Sequence, residues 1–284
     1  MVKRSKLVRR GVILLGIILI IGIYGYIQNN WIEVDRIAVP IEGLPKAFNG
    51  YTIVHVSDVH LDQQAASIDH LIRLVREQEP DLIVMTGDLV DRGTALETSG
   101  LDRLCRGLAH IAVTYAVTGN HEHDHDGRAE QWREIVTANG VKALDNQFDW
   151  VEREGERLFI AGLADSIPYS PELFRDAAGA EVPMLLLAHR PELFDSYASR
   201  DHDIRPSLVF SGHAHGGQVR IPFLDQGVIA PNQGLFPAYT AGMYEENDVR
   251  MFVSRGLGNS IIPMRIHNRP HLPVIELTGE AVVQ

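Results

Sequence analysis

The sequence predicts an α/β fold in which helices cover two β-sheets, and two observations lead to that prediction. Between residues 51 and 140, short β-rich segments alternate with amphipathic helical segments, as in layered α/β proteins. From residue 157 onwards the chain is richer in short apolar segments typical of strands. With 284 residues, 45% of them hydrophobic, the chain can bury a substantial core. One domain with two sheets fits this pattern better than two separable domains.

The first predicted element is a transmembrane helix at the N-terminus. Residues 11–27 are apolar and uncharged, and as a helix they span about 26 Å, close to the ~30 Å hydrocarbon core of a bilayer. Five basic residues precede this stretch: Lys3, Arg4, Lys6, Arg9 and Arg10. They predict a cytoplasmic amino end and a folded domain on the outer face of the cell membrane. A cleaved signal peptide is the alternative, although no small-residue cleavage site follows, and the paired arginines partly resemble a twin-arginine export signal.

The predicted organisation has three parts. Residues 1–32 form the cytoplasmic basic tail and the membrane anchor, residues 33–50 form a tether, and residues 51–284 form the folded domain. The tether is predicted because breakers of regular structure interrupt this stretch, namely Pro40, Gly43, Pro45 and Gly50.

Strands and helices within the folded domain are predicted from apolar periodicity. The predicted strands are 51–57, 81–87, 111–119, 157–163, 182–188, 207–212, 249–256 and 273–278. The first helix has Ser67 as its N-cap, apolar residues at helical spacing from Ile68 to Val75, and Pro80 as its stop. A second helix carries Cys105 on its apolar face, which predicts a core position for this side chain, and a third covers residues 128–140.

Charge and cysteine content exclude some classes of protein. The net charge is −11 although the first ten residues are basic, so the folded domain is strongly acidic and no nucleic-acid partner is expected. Cys105 is the only cysteine, which excludes an intrachain disulfide and a metal site made of thiolates. No protein partner is predicted.

Polar side chains follow five of the predicted strands at the point where each strand ends. These side chains are Asp58 and His60, Asp88, Asn120 and His121, His189, and His213 and His215. In α/β sheets, ligand sites assemble at the carboxyl ends of strands. Oxygen and nitrogen donors without sulfur suit Mn²⁺, Fe or Zn²⁺. Each fragment alone is more typical of a turn or a cap, but five in succession favour a metal site.

The ordered set of motifs resembles the calcineurin-like metallophosphoesterase superfamily, whose blocks run D-x-H, G-D, G-N-H, H and G-H-x-H. The sequence around the blocks, such as "HVSDVHLD", "MTGDLVD" and "SGHAHGGQ", is similar to that of a small membrane-associated bacterial branch of this superfamily. The resemblance covers roughly residues 50–280. It implies a β-sandwich of two sheets flanked by helices, and a centre of two divalent metal ions.

The resemblance also assigns roles to individual residues. It implies that Asp58, His60 and His215 hold one metal, that Asn120, His189 and His213 hold the other, and that Asp88 bridges both. A carboxylate between two cations offsets their repulsion, and a water shared by the pair becomes a hydroxide able to attack phosphorus. The resemblance gives His121 the catalytic role of steadying the transition state or protonating the leaving group.

The expected function is hydrolysis of a phosphodiester or pyrophosphate bond by a membrane-anchored enzyme. The anchor favours a lipid or envelope-precursor substrate, and a UDP-diacylglucosamine-type pyrophosphate is one candidate; residues that bind it are not identified. The alternatives are a phosphomonoesterase or protein phosphatase, a non-catalytic module on the same fold, and a membrane-tethered metal sensor.

Several other polar residues have two interpretations at this stage. The group His123, Asp124, His125 and Asp126 is either a solvated loop or an accessory cation site. Asp62 and Asp91 lie just beyond motifs and are interpreted as turn residues or as carboxylates that orient metal-bound histidines. Three arginines are candidates either for gripping a substrate phosphate or for ordinary ion pairing: Arg190, Arg220 and Arg255.

Overall fold

A computed structural model describes residues 2–61, 67–165, 170, 172, 182–259 and 264–279. The helices of this part of the chain are α1 (Val2–Asn30), α2 (Ile68–Glu77), α3 (Leu101–Ala109), α4 (Arg128–Ala138) and α5 (Phe194–Tyr197). The strands are β1 (Glu33–Ile41), β2 (Tyr51–Val56), β3 (Leu82–Thr86), β4 (Val113–Val117), β5 (Lys142–Ala143), β6 (Gln147–Arg153), β7 (Glu156–Gly162), β8 (Met184–Leu187), β9 (Leu208–Ser211), β10 (Arg220–Ile221), β11 (Gln226–Gly227), β12 (Ile229–Ala230), β13 (Gly234–Leu235), β14 (Gly242–Glu246), β15 (Val249–Val253) and β16 (His271–Gly279).

Two six-stranded sheets form the framework. In the first sheet the order is β1-β16-β2-β3-β4-β5, and β2 to β5 run parallel to one another. In the second sheet the order is β14-β15-β9-β8-β7-β6, and β15, β9, β8 and β7 run parallel. Each sheet therefore brings the carboxyl ends of several neighbouring strands to one edge. The predicted α/β fold with two sheets is confirmed.

The main core lies between the two sheets. Ile53, Val84 and Tyr115 of the first sheet share one buried cluster with Ile160 and Phe210 of the second. These side chains come from strands that are buried on both faces, which explains why the segments are almost continuously apolar in the sequence. Burial of such strands holds the two carboxyl edges in a fixed relation to each other.

Three amphipathic helices cover the outer face of the first sheet. Helices α2, α3 and α4 pack their apolar stripes onto this face, where Trp132 and Cys105 are buried, so the predicted core position of Cys105 is confirmed. Helix α2 begins directly after Ser67, whose hydroxyl accepts the backbone N–H of His70, as expected for its N-cap. On the outer face of the second sheet, α5 contributes Phe194 and Tyr197 to a third cluster.

The tether predicted over residues 33–50 is wrong for its first half. Residues 33–41 form β1, which pairs in parallel with β16 along nine positions at the edge of the first sheet. Pro40 and the charged side chains of this strand are tolerated because only one side of β1 is paired. The alternation of Ile37, Val39 and Ile41 was the available signal, but the partner strand lies more than 230 residues away in the chain.

One helix in the described part of the chain is long and apolar enough to cross a membrane. This candidate span, Arg9–Asn30, lies within α1, has a mean hydropathy of 2.2 and leaves its apolar side chains exposed. At ~1.5 Å per residue its 22 residues extend about 33 Å, enough to cross a hydrocarbon core.

The carboxyl end of α1 is attached to the folded domain by three hydrogen bonds. Side-chain oxygens of Tyr24, Gln28 and Asn29 accept the backbone N–H groups of the segment 265–268 at 3.1, 3.0 and 2.9 Å. The ring of Tyr24 also contacts that of His267, with 5.5 Å between centroids. The end of the apolar helix is thus docked on the domain.

Candidate metal centre

The structure brings all seven predicted metal ligands together at the facing edges of the two sheets. Strands β2, β3 and β4 of the first sheet and β8 and β9 of the second each end within three residues of at least one of these side chains. The seven residues are Asp58, His60, Asp88, Asn120, His189, His213 and His215. Six of them are buried and Asn120 is partly buried.

One group of donors consists of Asp58, His60, Asp88 and His215, whose ligand atoms lie within 4.8 Å of one another. His60 Nε2 lies 3.1 Å from His215 Nε2 and 3.9 Å from Asp88 Oδ2. His215 Nε2 lies 3.5 Å from Asp58 Oδ1. These four atoms converge although His60 and His215 are 155 positions apart in the chain.

A second group contains Asp88, His189 and His213, with Asn120 beside it. His189 Nε2 is 3.3 Å from Asp88 Oδ2, 3.3 Å from Asn120 Oδ1 and 3.1 Å from His213 Nδ1. Asp88 is the member shared by both groups, and its Oδ2 faces histidine nitrogens of both.

The spacing of the donors fits metal coordination. Ligand atoms about 2.0–2.2 Å from one ion lie roughly 3–3.5 Å from each other. Most of the distances within the two groups fall in this range, and the 3.9 Å between His60 Nε2 and Asp88 Oδ2 is longer. Two imidazole nitrogens 3.1 Å apart either share one proton in an N–H···N hydrogen bond or, with both lone pairs free, can bind the same cation. The donor set therefore fits divalent ions that accept nitrogen and oxygen ligands.

Five of the seven residues occupy a strained backbone conformation. Asp58, His60, Asp88, His213 and His215 have φ between 46° and 64°, in the left-handed region that non-glycine residues rarely adopt. Each such residue costs about 1–3 kcal/mol, and strained residues concentrate where function requires a particular side-chain direction. The strain at five positions indicates that the folded framework imposes the direction of these donors.

Two glycines allow the loops that carry Asp88 and Asn120 to pass each other. A Cβ at Gly87, whose φ is 87°, would lie 2.4 Å from the backbone nitrogen of Gly119. A Cβ at Gly119 would lie 2.4 Å from Asp88 Oδ1. The G-D and G-N-H motifs need glycine because the two backbones touch at this point.

Burial and mutual contact set the protonation of the cluster. Burial lowers the pKa of His213 and that of His215 well below the usual range, so both imidazoles are neutral and retain a lone pair. Burial opposes a charge on Asp88, but its contact with His189 outweighs this effect and holds the pKa of Asp88 well below its usual value. Asp88 in turn raises the pKa of His189 to about 10, against the opposing effect of burial. A bound cation would replace the proton of His189.

His121 lies beside the cluster and is less buried than the histidines within it. Its Nδ1 accepts the backbone N–H of Arg92 at 2.9 Å, so Nε2 is the nitrogen that carries a proton in the neutral ring. That Nε2 lies 3.8 Å from Asp88 Oδ2, and 12% of the side chain is exposed. His121 therefore offers an N–H donor at the accessible side of the donor cluster.

Asp91 lies beside two of these histidines and supports one of them, His60. Its Oδ1 lies 3.3 Å from His60 Nδ1, opposite the nitrogen that faces the donor group, and 3.0 Å from His121 Nδ1. A carboxylate in this position fixes the ring of a metal-binding histidine and increases its basicity. The structure thus favours the interpretation of Asp91 as an orienting carboxylate, whereas Asp62 lies outside the described residues.

Sequence reasoning missed two further groups. Glu122 is fully buried and accepts the backbone N–H groups of Asp88, Leu89, Val90 and Gly119 at 2.8–3.3 Å, which ties the two ligand loops together. Burial, and then the nearby Asp88, raises the pKa of Glu122. A glutamate directly after G-N-H was the available signal.

The second missed group is a buried chain of hydroxyls behind Asp58. Thr86 donates to Ser57 at 2.7 Å, and Ser57 donates to Asp58 Oδ2 at the same distance. His55 Nε2 lies 2.7 Å from the Thr86 hydroxyl. The backbone N–H of His213 binds both oxygens of Asp58 at 2.9 and 3.1 Å, so this carboxylate is held from two sides.

The three candidate arginines are engaged within the protein. Arg190 makes two bonds of 2.7 Å to Asp165, and Arg255 lies 3.2 Å from Glu33. Arg220 donates to the carbonyls of Gly216 and Asp225. The structure therefore favours ion pairing and loop support over phosphate binding for these side chains.

Known proteins resemble this chain over most of its length. Residues 51–217, more than half of the chain, match the family model of the calcineurin-like phosphoesterases. The uncharacterized metallophosphoesterase YkuE of Bacillus subtilis is 31% identical over 90% of both chains. A transmembrane protein with metallophosphoesterase domain from Danio rerio is 30% identical over 95% of this chain and 63% of its own. The phosphodiesterase YaeI of Escherichia coli is 27% identical over 90% of this chain and 92% of its own.

Proposed function

Because the chain belongs to the calcineurin-like phosphoesterase family, we propose that it is a membrane-anchored phosphodiesterase with two metal ions. The single observation that carries this proposal is the convergence of seven donors from two sheets into two groups that share Asp88. A cluster built for one ion would not need a shared carboxylate. The similarity to a protein named as a phosphodiesterase favours a diester over a monoester substrate.

The residues divide between the two ions according to the two groups. Asp58, His60 and His215 would hold one ion, Asn120, His189 and His213 the other, and Asp88 both. When bound, a metal pair of this kind activates a water as nucleophile and neutralises charge on the phosphate oxygens. The three candidate arginines do not supply this charge, because they are engaged elsewhere in the protein.

His121 is proposed as the catalytic acid. Its Nε2–H points to the accessible side of the cluster, because its Nδ1 is occupied by the N–H of Arg92. An N–H donor in that position can hydrogen-bond to the departing oxygen of a phosphodiester and stabilise its developing charge. The protonated, cationic ring can transfer its proton to that oxygen and become neutral, a transfer typically worth ~10²–10⁴ in rate. The backbone N–H of Arg92 holds the ring in this orientation.

The proposed location is the outer face of the cell membrane, with the amino end in the cytoplasm. The apolar part of α1, its docking on the domain and the basic residues before it support this arrangement. A phosphodiester or pyrophosphate bond of a lipid or envelope precursor would then be within reach.

The proposal is tested with the purified full chain in detergent. We expect two divalent ions per chain by plasma mass spectrometry, and faster hydrolysis of bis-p-nitrophenyl phosphate than of p-nitrophenyl phosphate. Removal of the ions with a chelator should abolish turnover, and Mn²⁺, Fe²⁺ or Zn²⁺ should restore it. Two bound ions without hydrolysis of any phosphate ester would instead support a metal sensor, and a faster monoester reaction would replace the diesterase assignment.

A further inference from the structure

A surface loop region beside the metal centre has an unusual composition. We define the apolar excursion as residues 219–236, which leave the second sheet after His215 and contain the short strands β10 to β13. Two antiparallel pairs shape it, and the backbone N–H of Val228 ties it to the carbonyls of Gly217 and Val219 at 3.1 and 2.9 Å. The excursion is therefore an ordered structure and not an extended loop.

Its tips expose large apolar side chains. Phe223 is fully exposed, and Leu224, Leu235 and Phe236 are 62–70% exposed. Outside the apolar helix α1, the described surface has few other large apolar side chains with such exposure. These four side chains, termed the apolar patch, lie within one short excursion, and exposed apolar side chains concentrated on a protein surface mark contact with a partner or a membrane.

Two of these residues have a strained backbone conformation, which makes their exposed position energetically unfavourable. Phe223 has φ 69° and Phe236 has φ 53°, a conformation that glycine or asparagine adopts far more easily. Neither residue is buried, so packing within the protein does not repay the strain. A glycine in these turns would fold more easily, which indicates that the phenyl groups serve a contact outside the protein.

The excursion is also nearly free of charge in an otherwise acidic chain. From residue 219 to residue 242 the only charged residues are Arg220 and Asp225, which form an ion pair with each other. A surface without net charge can approach anionic headgroups that an acidic surface would repel.

The excursion is connected to the end of the candidate membrane span. Val219 forms a β-bridge with Ile266, and the backbone N–H of Arg220 donates to the carbonyl of Ile266 at 3.0 Å. The residues on both sides of Ile266 are those that bind Tyr24 and Asn29 of α1. Tyr24, Tyr26 and Trp31 are residue types that occupy the membrane–water interface. The excursion is therefore joined through Ile266 and its neighbours to the carboxyl end of α1, where the candidate span ends.

We propose that the apolar excursion is a second membrane contact, with Phe223, Leu224, Leu235 and Phe236 inserted at the boundary between headgroups and acyl chains. The occupant of the patch is the lipid bilayer that α1 spans, so the proposal rests on the membrane anchoring proposed above. It does not depend on the proposed hydrolysis.

The contact has a consequence for access to the metal centre. Asn232 of the excursion donates to Glu192 at 3.0 Å and lies 3.1 Å from His213 Nε2. The same structure that meets the bilayer thus forms one wall beside the metal-binding cluster. A phosphate ester embedded in the outer leaflet would approach the cluster along this wall, without leaving the membrane surface.

The test places an environment-sensitive fluorophore on the full chain in nanodiscs of phosphatidylcholine and phosphatidylglycerol. The Phe223→Cys variant is labelled with a nitrobenzoxadiazole probe and exposed to lipids that carry a doxyl group on the acyl chain. Glu152→Cys is the matched control, because Glu152 is exposed near the amino ends of the second sheet's strands, opposite the metal centre. The wild-type chain, whose single Cys105 is buried, measures background labelling.

We expect doxyl lipids to quench the probe at position 223 at least twofold more than the probe at 152, and aqueous iodide to quench only the latter. Equal quenching by iodide at both positions would contradict the proposed bilayer contact. Protection from iodide without doxyl quenching would show that protein covers the patch and would also overturn it. Failure of the chain to co-elute with nanodiscs would refute the anchor, and the bilayer contact with it. Unchanged hydrolysis of bis-p-nitrophenyl phosphate by Phe223→Cys would show that its metal centre is intact.

Discussion

Two parts of this molecule are rich in histidine and aspartate, yet the potential metal ligands converge in only one of them. In the strand-end cluster, His213 Nδ1 and His215 Nε2 each lie 3.1 Å from a histidine nitrogen of a distant chain segment. In the loop 123–126, His125 Nδ1 approaches only the carbonyl of its neighbour Asp126, and His123 contacts Thr118. Among the residues that the structure describes, no candidate metal group includes a member of this loop.

The difference teaches that burial and convergence, more than composition, make a metal site. Side chains at 124–126 are exposed, so water solvates their charges and nothing is gained by bringing them together. The donors of the cluster have lost water, and they face one another because two sheet edges force them to. The loop is therefore interpreted as solvated, and it provides matched controls for the cluster.

The largest difference is expected between Asp88→Asn and Asp124→Asn. An amide at position 88 keeps the shape of the side chain but loses the charge that both ions share, so hydrolysis of bis-p-nitrophenyl phosphate should fall to the background rate. The variant should bind fewer ions by plasma mass spectrometry and keep the circular dichroism of the wild type. Asp124→Asn should behave as wild type. Full activity of Asp88→Asn would refute the role of Asp88.

A smaller loss is expected for His121→Ala. Removal of the proposed acid should lower kcat by ~10²–10⁴ while the metal content stays unchanged. The loss should shrink for a diester with a better leaving group, because such a group needs less protonation. His123→Ala and His125→Ala are the controls and should retain activity. A loss of bound metal in His121→Ala would identify the residue as a ligand.

A smaller effect, on metal affinity, is expected for Asp91→Asn. Its contact with His60 Nδ1 orients a ligand without touching the ion, so metal affinity should fall by ~10–100-fold. Excess metal should restore most of the turnover, which distinguishes a positioning residue from a structural one. Asp126→Asn, in the solvated loop, should leave metal affinity unchanged. An unaltered metal affinity in Asp91→Asn would contradict its orienting role.

The smallest difference is expected in stability, between Gly87→Ala and Gly127→Ala. The two glycines have nearly the same φ, 87° and 82°, but a Cβ at Gly87 meets backbone 2.4 Å away and one at Gly127 meets nothing within 4 Å. Both variants carry the left-handed strain, and Gly87→Ala should lose about 1–3 kcal/mol more of unfolding free energy through the clash. Thermal unfolding monitored by circular dichroism measures the difference. Equal losses would mean that the ligand loops are not in close contact.

The local sequence pattern was sufficient to predict the strands and helices that have a strong hydrophobic periodicity. The apolar strands, the helix capped by Ser67 and the polar residue after each strand could all be read from neighbouring residues, because a buried strand must be apolar and must end in a turn. The edge strand β1 was missed because its pattern is broken by charges and Pro40, and because its pairing with β16 is a long-range event.

The amino-acid sequence by itself determined the apolar N-terminal helix, the alternation of strands and helices, and the seven donors with their motif order. Only the tertiary structure decided which donors face each other, because the packing of two sheets, and not chain distance, sets the gap between His60 and His215. It also decided that Glu122 ties the ligand loops together and that Asp91 lies behind His60. Backbone strain at five donors can be imposed only by a folded framework, since an isolated chain would relax it.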